Sequence, residues 1–141
     1  MTIAKSLAHK RNARLARREI TGTHVISASA IPDARVRLVI GFMNENLHRG
    51  IPLTDLAELT NLSPFRLSHV FKTQTGLSPG EYLRRLRMEE ARDLLATSLL
   101  SVKQIMAMAG YNNKNHFTRH FKRSFGVVPS EFRKIIQSAG D

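Results

Sequence analysis

A chain of 141 residues with 22 Lys and Arg against 11 Asp and Glu carries a formal charge of +11. That length fits one domain of ordinary size with a short appendage and argues against a two-domain enzyme. So basic a balance favours a polyanionic partner, and the absence of cysteine excludes disulfides, thiolate zinc sites and cysteine nucleophiles.

Residues 1–20 hold Lys5, Lys10, Arg11, Arg14, Arg17 and Arg18 against Glu19 alone. The following TGTHVISASAIP, Thr21 to Pro32, has no charged residue and is rich in Ser, Thr and Ala. Residues 1–32 therefore read as a basic arm and a flexible linker, with the compact domain expected over 33–137. No apolar run approaches the roughly 20 residues that span a bilayer, and the start lacks the apolar stretch of a secretory signal. The expectation is a cytoplasmic protein with no membrane partner.

From Asp33 onward the periodicity is helical. Val36, Val39, Ile40, Met43 and Leu47 recur at three-to-four spacing, with Arg35, Arg37 and Glu45 off the stripe. Six more helices are predicted near 53–60, 64–74, 79–97, 102–109, 114–125 and 129–137. Their starts carry chemical signals: Ser63-Pro64 and Ser78-Pro79 put a hydroxyl before a proline at the first helical position, and Ser78/Glu81 and Ser101/Gln104 have capping-box spacing. No strand pattern is evident, so the fold class is all-α.

The informative feature is an internal repeat. Leu53 to Arg84 matches Val102 to Arg133 with one extra residue in the second turn, after which Leu67 pairs with Phe117, Phe71 with Phe121, Gly76 with Gly126, Pro79 with Pro129 and Tyr82 with Phe132. Each copy is a short helix, a tight turn, a second helix ending at glycine and a Pro-initiated helix. This is a helix-turn-helix twice, over about 53–75 and 102–126, joined by a helix at about 79–97.

A helix-turn-helix places its second helix in the major groove, so that helix needs one apolar face toward its own domain and one polar face free. In the second copy Phe117, Phe121 and Phe125 form the apolar stripe, with Phe132 added to the core. Asn113, Lys114, Asn115, His116 and Arg119 are the candidates for base edges, because Asn and Arg supply the bidentate forks suited to adenine and guanine. In the first copy Leu67, Val70 and Phe71 face inward, leaving Phe65, Arg66, Ser68 and His69 for the groove, with Phe65 suited to a thymine methyl. Lys72, Lys122 and Arg123 are candidate phosphate contacts. A 79–97 helix of about 28 Å would set the two reading helices roughly one DNA turn apart, so a monomer could read two successive major-groove segments. Apolar residues near both ends of that helix (Tyr82, Leu83, Leu86; Leu94, Leu95) would pack on the two copies, and Arg85, Glu89 and Arg92 would pair along its exposed side.

With these residues in view, the chain resembles the DNA-binding domain of the AraC/XylS family of bacterial transcription regulators over about Ala34 to Lys134. The resemblance is carried by LTDLAELTNLSPFRLSHVFKTQTGLSPGEYLRRLRMEEARDLL and above all by GYNNKNHFTRHFKRSFGVVPSEFRK. It implies two helix-turn-helix subdomains joined by a long helix, binding double-stranded promoter DNA at the nucleoid and usually activating transcription through RNA polymerase. Two departures are visible. Met106 follows Ile105 where the family usually has Ala, a bulkier residue expected to reshape that helix contact. Only the arm and linker precede the domain, where most members carry an effector-binding or dimerising domain, so the chain reads as a stand-alone member or a fragment of a longer one.

Other readings are weaker. His116 and His120, at i and i+4, share a helix face but lack a third ligand, so no metal is expected and His120 is read as a surface residue. A basic RNA-binding module is the alternative function, disfavoured because the aromatics are committed to helical cores. With no glycine-rich phosphate loop and no acid/base cluster, neither an enzyme nor a cofactor is expected.

Overall fold

The computed structural model describes residues 33–140, so the arm and linker expected over 1–32 lie outside the described residues. These residues form seven helices and no strand: α1 (Ala34–Glu45), α2 (Leu53–Thr60), α3 (Pro64–Thr75), α4 (Pro79–Thr97), α5 (Val102–Met108), α6 (Lys114–Phe125) and α7 (Pro129–Gly140). The chain divides into two compact units, 33–46 with 51–83 and 47–50 with 84–140, the boundary falling inside α4.

In the first unit, α1 starts where the Asp33 carboxylate accepts from the Arg35 backbone N–H at 2.8 Å and from its guanidinium. Val36, Val39 and Met43 are fully buried, and the Asp33 N–H donates to Gln74 Oε1 at 2.6 Å, tying the start of α1 to the end of α3. Ile40, expected on the same stripe, is only half-buried, while polar Asn44 is buried and satisfied by donating to the Ile40 carbonyl at 3.0 Å. Helix α2 buries Leu56, Ala57 and Thr60 and ends at Asn61, whose φ of 57° makes the helix-turn-helix corner. Ser63 caps α3 by accepting from the Arg66 N–H at 3.2 Å, with Pro64 at the first position. Leu67 and Phe71 are buried, Val70 is half-buried, and Tyr82 meets Phe71 edge-on at 5.3 Å.

The second unit repeats this design with larger side chains. Leu86, Met88, Ala91, Leu94 and Leu95 of α4 are buried together with Ile105, Ala109, Phe117 and Phe121. Besides the apolar residues expected near the ends of α4, Met88 and Ala91 at its middle are buried on the same face as Leu94 and Leu95. Arg85 pairs with Glu89 at 3.6 Å as expected, but Arg92 pairs with Asp93 at 3.6 Å and lies over the Phe125 ring at 5.3 Å. Phe125 and Phe132 are half-buried rather than core, closing the edge of the cluster around Phe121 at centroid distances of 4.7 and 5.6 Å. Met106 is accommodated half-buried beside fully buried Ile105, and its carbonyl accepts from the Tyr111 N–H at 3.0 Å.

Two arginines complete this unit by binding backbone carbonyls. Arg87 donates to Leu47 O at 3.3 Å and Arg49 O at 2.7 Å, and Arg133 donates to Leu95 O at 3.3 Å, Ser98 O at 3.2 Å and Leu100 O. Five donors in a rigid fork allow one guanidinium to satisfy several carbonyls around a helix end. The Ser101/Gln104 capping box is present in both directions, at 2.8 and 3.1 Å. Ser101→Ala should lower the stability of this unit by about 1 kcal/mol, the usual worth of such a cap, as measured by urea unfolding.

Candidate nucleic-acid interface

Helix α6 is held from one side and free on the other. Phe117 and Phe121 are fully buried, while Lys114, Asn115, His116, Arg119, Lys122 and Arg123 are all exposed. Lys114, Asn115, Thr118, Arg119, Lys122 and Arg123 line an open, shallow depression. Half-buried Thr118 escaped sequence reasoning; its signal is the four-residue row it shares with Lys114 and Lys122. The helix carries four cations and no acid. Its free face thus offers charge for phosphates and planar forks for base edges.

Asn113 lies at the same end, and its Oδ1 accepts from the His116 N–H at 3.0 Å. The carbonyl half of that amide is committed to capping α6. Its amide protons alone are left to face a ligand.

The expectation for His120 is refined. It is half-buried at the edge of the exposed face and has a partner there: its Nδ1 lies 2.8 Å from the Tyr111 hydroxyl, and its ring stacks on His116 with centroids 6.3 Å apart. Burial pushes His120 below the ordinary histidine value, with Arg84, Arg119, Arg123 and His116 adding to the shift, and burial likewise pushes the Tyr111 phenol up. Among the described residues no three His, Cys, Asp or Glu come together as a metal cage.

In the first unit, α3 exposes Phe65, Arg66, His69 and Lys72, with Ser68 half-buried. Phe65 is 82% exposed at the second helical position, so its own unit uses almost none of its apolar surface. The turn chemistry that presents the two helices differs. Asn61 takes positive φ in the first turn, and Gly110, φ 84°, does so in the second, where the repeat has its extra residue.

This twice-built helix-turn-helix agrees with known proteins. The chain matches a family model described as a helix-turn-helix domain over residues 56–135. It is 39% identical over 99 residues to the raffinose operon transcriptional regulatory protein RafR of Pediococcus pentosaceus, an alignment covering 70% of this chain and 36% of that protein. The chain belongs to the AraC/XylS family. A second AraC/XylS relative, the HTH-type transcriptional activator RhaS of Escherichia fergusonii, is 36% identical over 102 residues, covering 72% of this chain and 37% of the relative. Among solved structures, the DNA-binding domain of the global transcriptional factor AdpA, in complex with a target DNA, superposes with a TM-score of 0.72 at 25% identity, covering 76% of this chain and 96% of that one. The chain thus spans a little over a third of the length of the two curated relatives, 36% and 37%, and nearly all of the AdpA domain.

Proposed function

We propose that this chain is a sequence-specific regulator of transcription that binds double-stranded promoter DNA with α3 and α6 in two successive major-groove segments. The observation that carries this reading is the free face of α6, where Asn115 and Arg119 are exposed between Lys114, Lys122 and Arg123 while Phe117 and Phe121 fix the opposite side. Lys114, Asn115 and Arg119 read base edges, and Lys122 and Arg123 hold phosphates. In α3, Arg66 and His69 reach the groove with Ser68 at their flank, Lys72 takes a phosphate, and Phe65 packs on a thymine methyl. The role is binding and not catalysis. By the family relationship it acts as an activator through RNA polymerase on the bacterial nucleoid, in the cytoplasm, and a monomer suffices for DNA binding.

Selection of bound duplexes from a random pool at physiological salt, followed by footprinting, tests this. Two protected segments centred about one helical turn, roughly 10 bp, apart are expected on one face. A footprint confined to one groove segment, indifferent to changes in α3, contradicts the bipartite reading. Exposed Phe65 is the one observation that favours a basic RNA-binding module, since a free aromatic can stack on an unpaired base. Single-stranded RNA that competes as well as the selected duplex would support that second reading.

A further inference from the structure

Beside the base-reading face of α6 lies a polar arrangement that base reading does not use. The Tyr111 hydroxyl and His120 Nδ1 are 2.8 Å apart, with the rings edge-on at 5.6 Å. Tyr111 also packs edge-on against buried Phe117 at 5.4 Å, so its hydroxyl is presented from a ring anchored in the core. His116 lies parallel to His120, and the charges acting on His120 are Arg84 from α4 with Arg119, Arg123 and His116 from α6. A histidine kept neutral among cations is poised to gain a proton when an anion arrives.

We infer that His120, oriented by Tyr111, makes a proton-dependent contact to a backbone phosphate of the duplex, flanking the base-reading face. This rests on the DNA-binding reading above and adds a residue and a pH dependence to it. With Nδ1 engaged by Tyr111, Nε2 is the remaining polar atom of the ring. The contact requires the neutral ring to be the Nε2–H tautomer, in which Nδ1 accepts from the Tyr111 hydroxyl. The added proton goes to Nδ1, which then donates to the same hydroxyl oxygen, so Nε2–H donates in both states and only the charge changes.

A phosphate in that place offsets the repulsion from Arg84, Arg119, Arg123 and His116 and raises the pKa of His120 in the complex. Its contribution to affinity is then complete below the free-protein value, which lies under 6.5, and is lost as pH rises through the higher value of the complex. Because every duplex has phosphates, the gain does not depend on sequence.

Fluorescence anisotropy of the full chain with a selected duplex and a scrambled one, between about pH 5.5 and 8 at several salt concentrations, tests this. Acidification should tighten both complexes by about three- to tenfold, within the tenfold per pH unit that one proton allows. The slope of log K against log salt should steepen by about 0.9, one phosphate contact. His120→Gln should lose most of both increments, and Tyr111→Phe should shrink them because the ring is no longer oriented. Wild-type pH dependence and salt slope in His120→Gln, or an increment confined to the selected duplex, overturns the inference. Should the variants fold poorly by circular dichroism, proton NMR of His120 in the wild-type chain decides: its titration should move to higher pH on adding duplex, and identical titration overturns the inference. Failure to bind any duplex at any pH removes the DNA-binding reading as well, whereas tight binding without a His120 effect removes this inference alone.

Discussion

Gly110→Ala should destabilise the second unit by about 3 kcal/mol or more, enough to leave α6 largely unfolded or mispacked in a domain of ordinary marginal stability. Two costs combine. A φ of 84° strains any residue with a Cβ, and that Cβ would be driven into the Leu47 carbonyl oxygen and the Arg87 guanidinium. Neither neighbour can yield cheaply, because Arg87 is donating to that same carbonyl and to Arg49 O. Gly126→Ala is the control in the same unit: its φ is 85°, but nothing lies within 4 Å of the added Cβ. It should cost only about 1 kcal/mol. Urea unfolding followed by circular dichroism measures both, and equal losses would show that the close approach at Gly110 contributes nothing.

Arg119→Ala should weaken binding to the preferred duplex by about 1 to 3 kcal/mol and relax preference at one or two base pairs. Arg119 is exposed on the side of α6 opposite the buried Phe117 and Phe121 and makes no ion pair among the described residues, so its removal should cost the described fold little. Lys122→Ala, from the edge of the same depression, should weaken all duplexes alike and lower the salt slope by about 0.9. Binding measured on the selected duplex, on single-base variants and on a scrambled duplex separates the two effects. Uniform loss across sequences for both variants would make Arg119 a phosphate contact and move base reading to Asn115 and its neighbours.

Most of the candidate site was legible because the signals are local. A Phe at 117 and again at 121 puts the buried stripe on one side of a helix, which leaves Asn115, Arg119 and Arg123 on the other whatever the rest of the chain does. Asn113 shows the limit of that logic. Its residue type suited base reading, yet its place one residue before α6 makes its oxygen a cap, a distinction that turns on where the helix begins. The partner of His120 is not legible for a different reason: helix geometry places His120 at the flank of the exposed face, and only the turn through Gly110 and Tyr111 brings a hydroxyl against it.

By itself the sequence determined the seven helices, their capped starts at Ser63, Ser78 and Ser101, the glycine stops at Gly76 and Gly126, and the doubling of the helix-turn-helix. Each depends on hydrogen bonds and side-chain periodicity within a few residues, so short-range pattern suffices. Tertiary structure decided what Arg87 and Arg133 do, why Gly110 has no room for a methyl group, and that Met88 and Ala91 belong to the core. Arg87 meets carbonyls 38 and 40 residues away and Arg133 meets others 33 to 38 residues away. An arginine that will clamp a distant backbone carries the same local pattern as one that will face solvent, and only the folded chain distinguishes them.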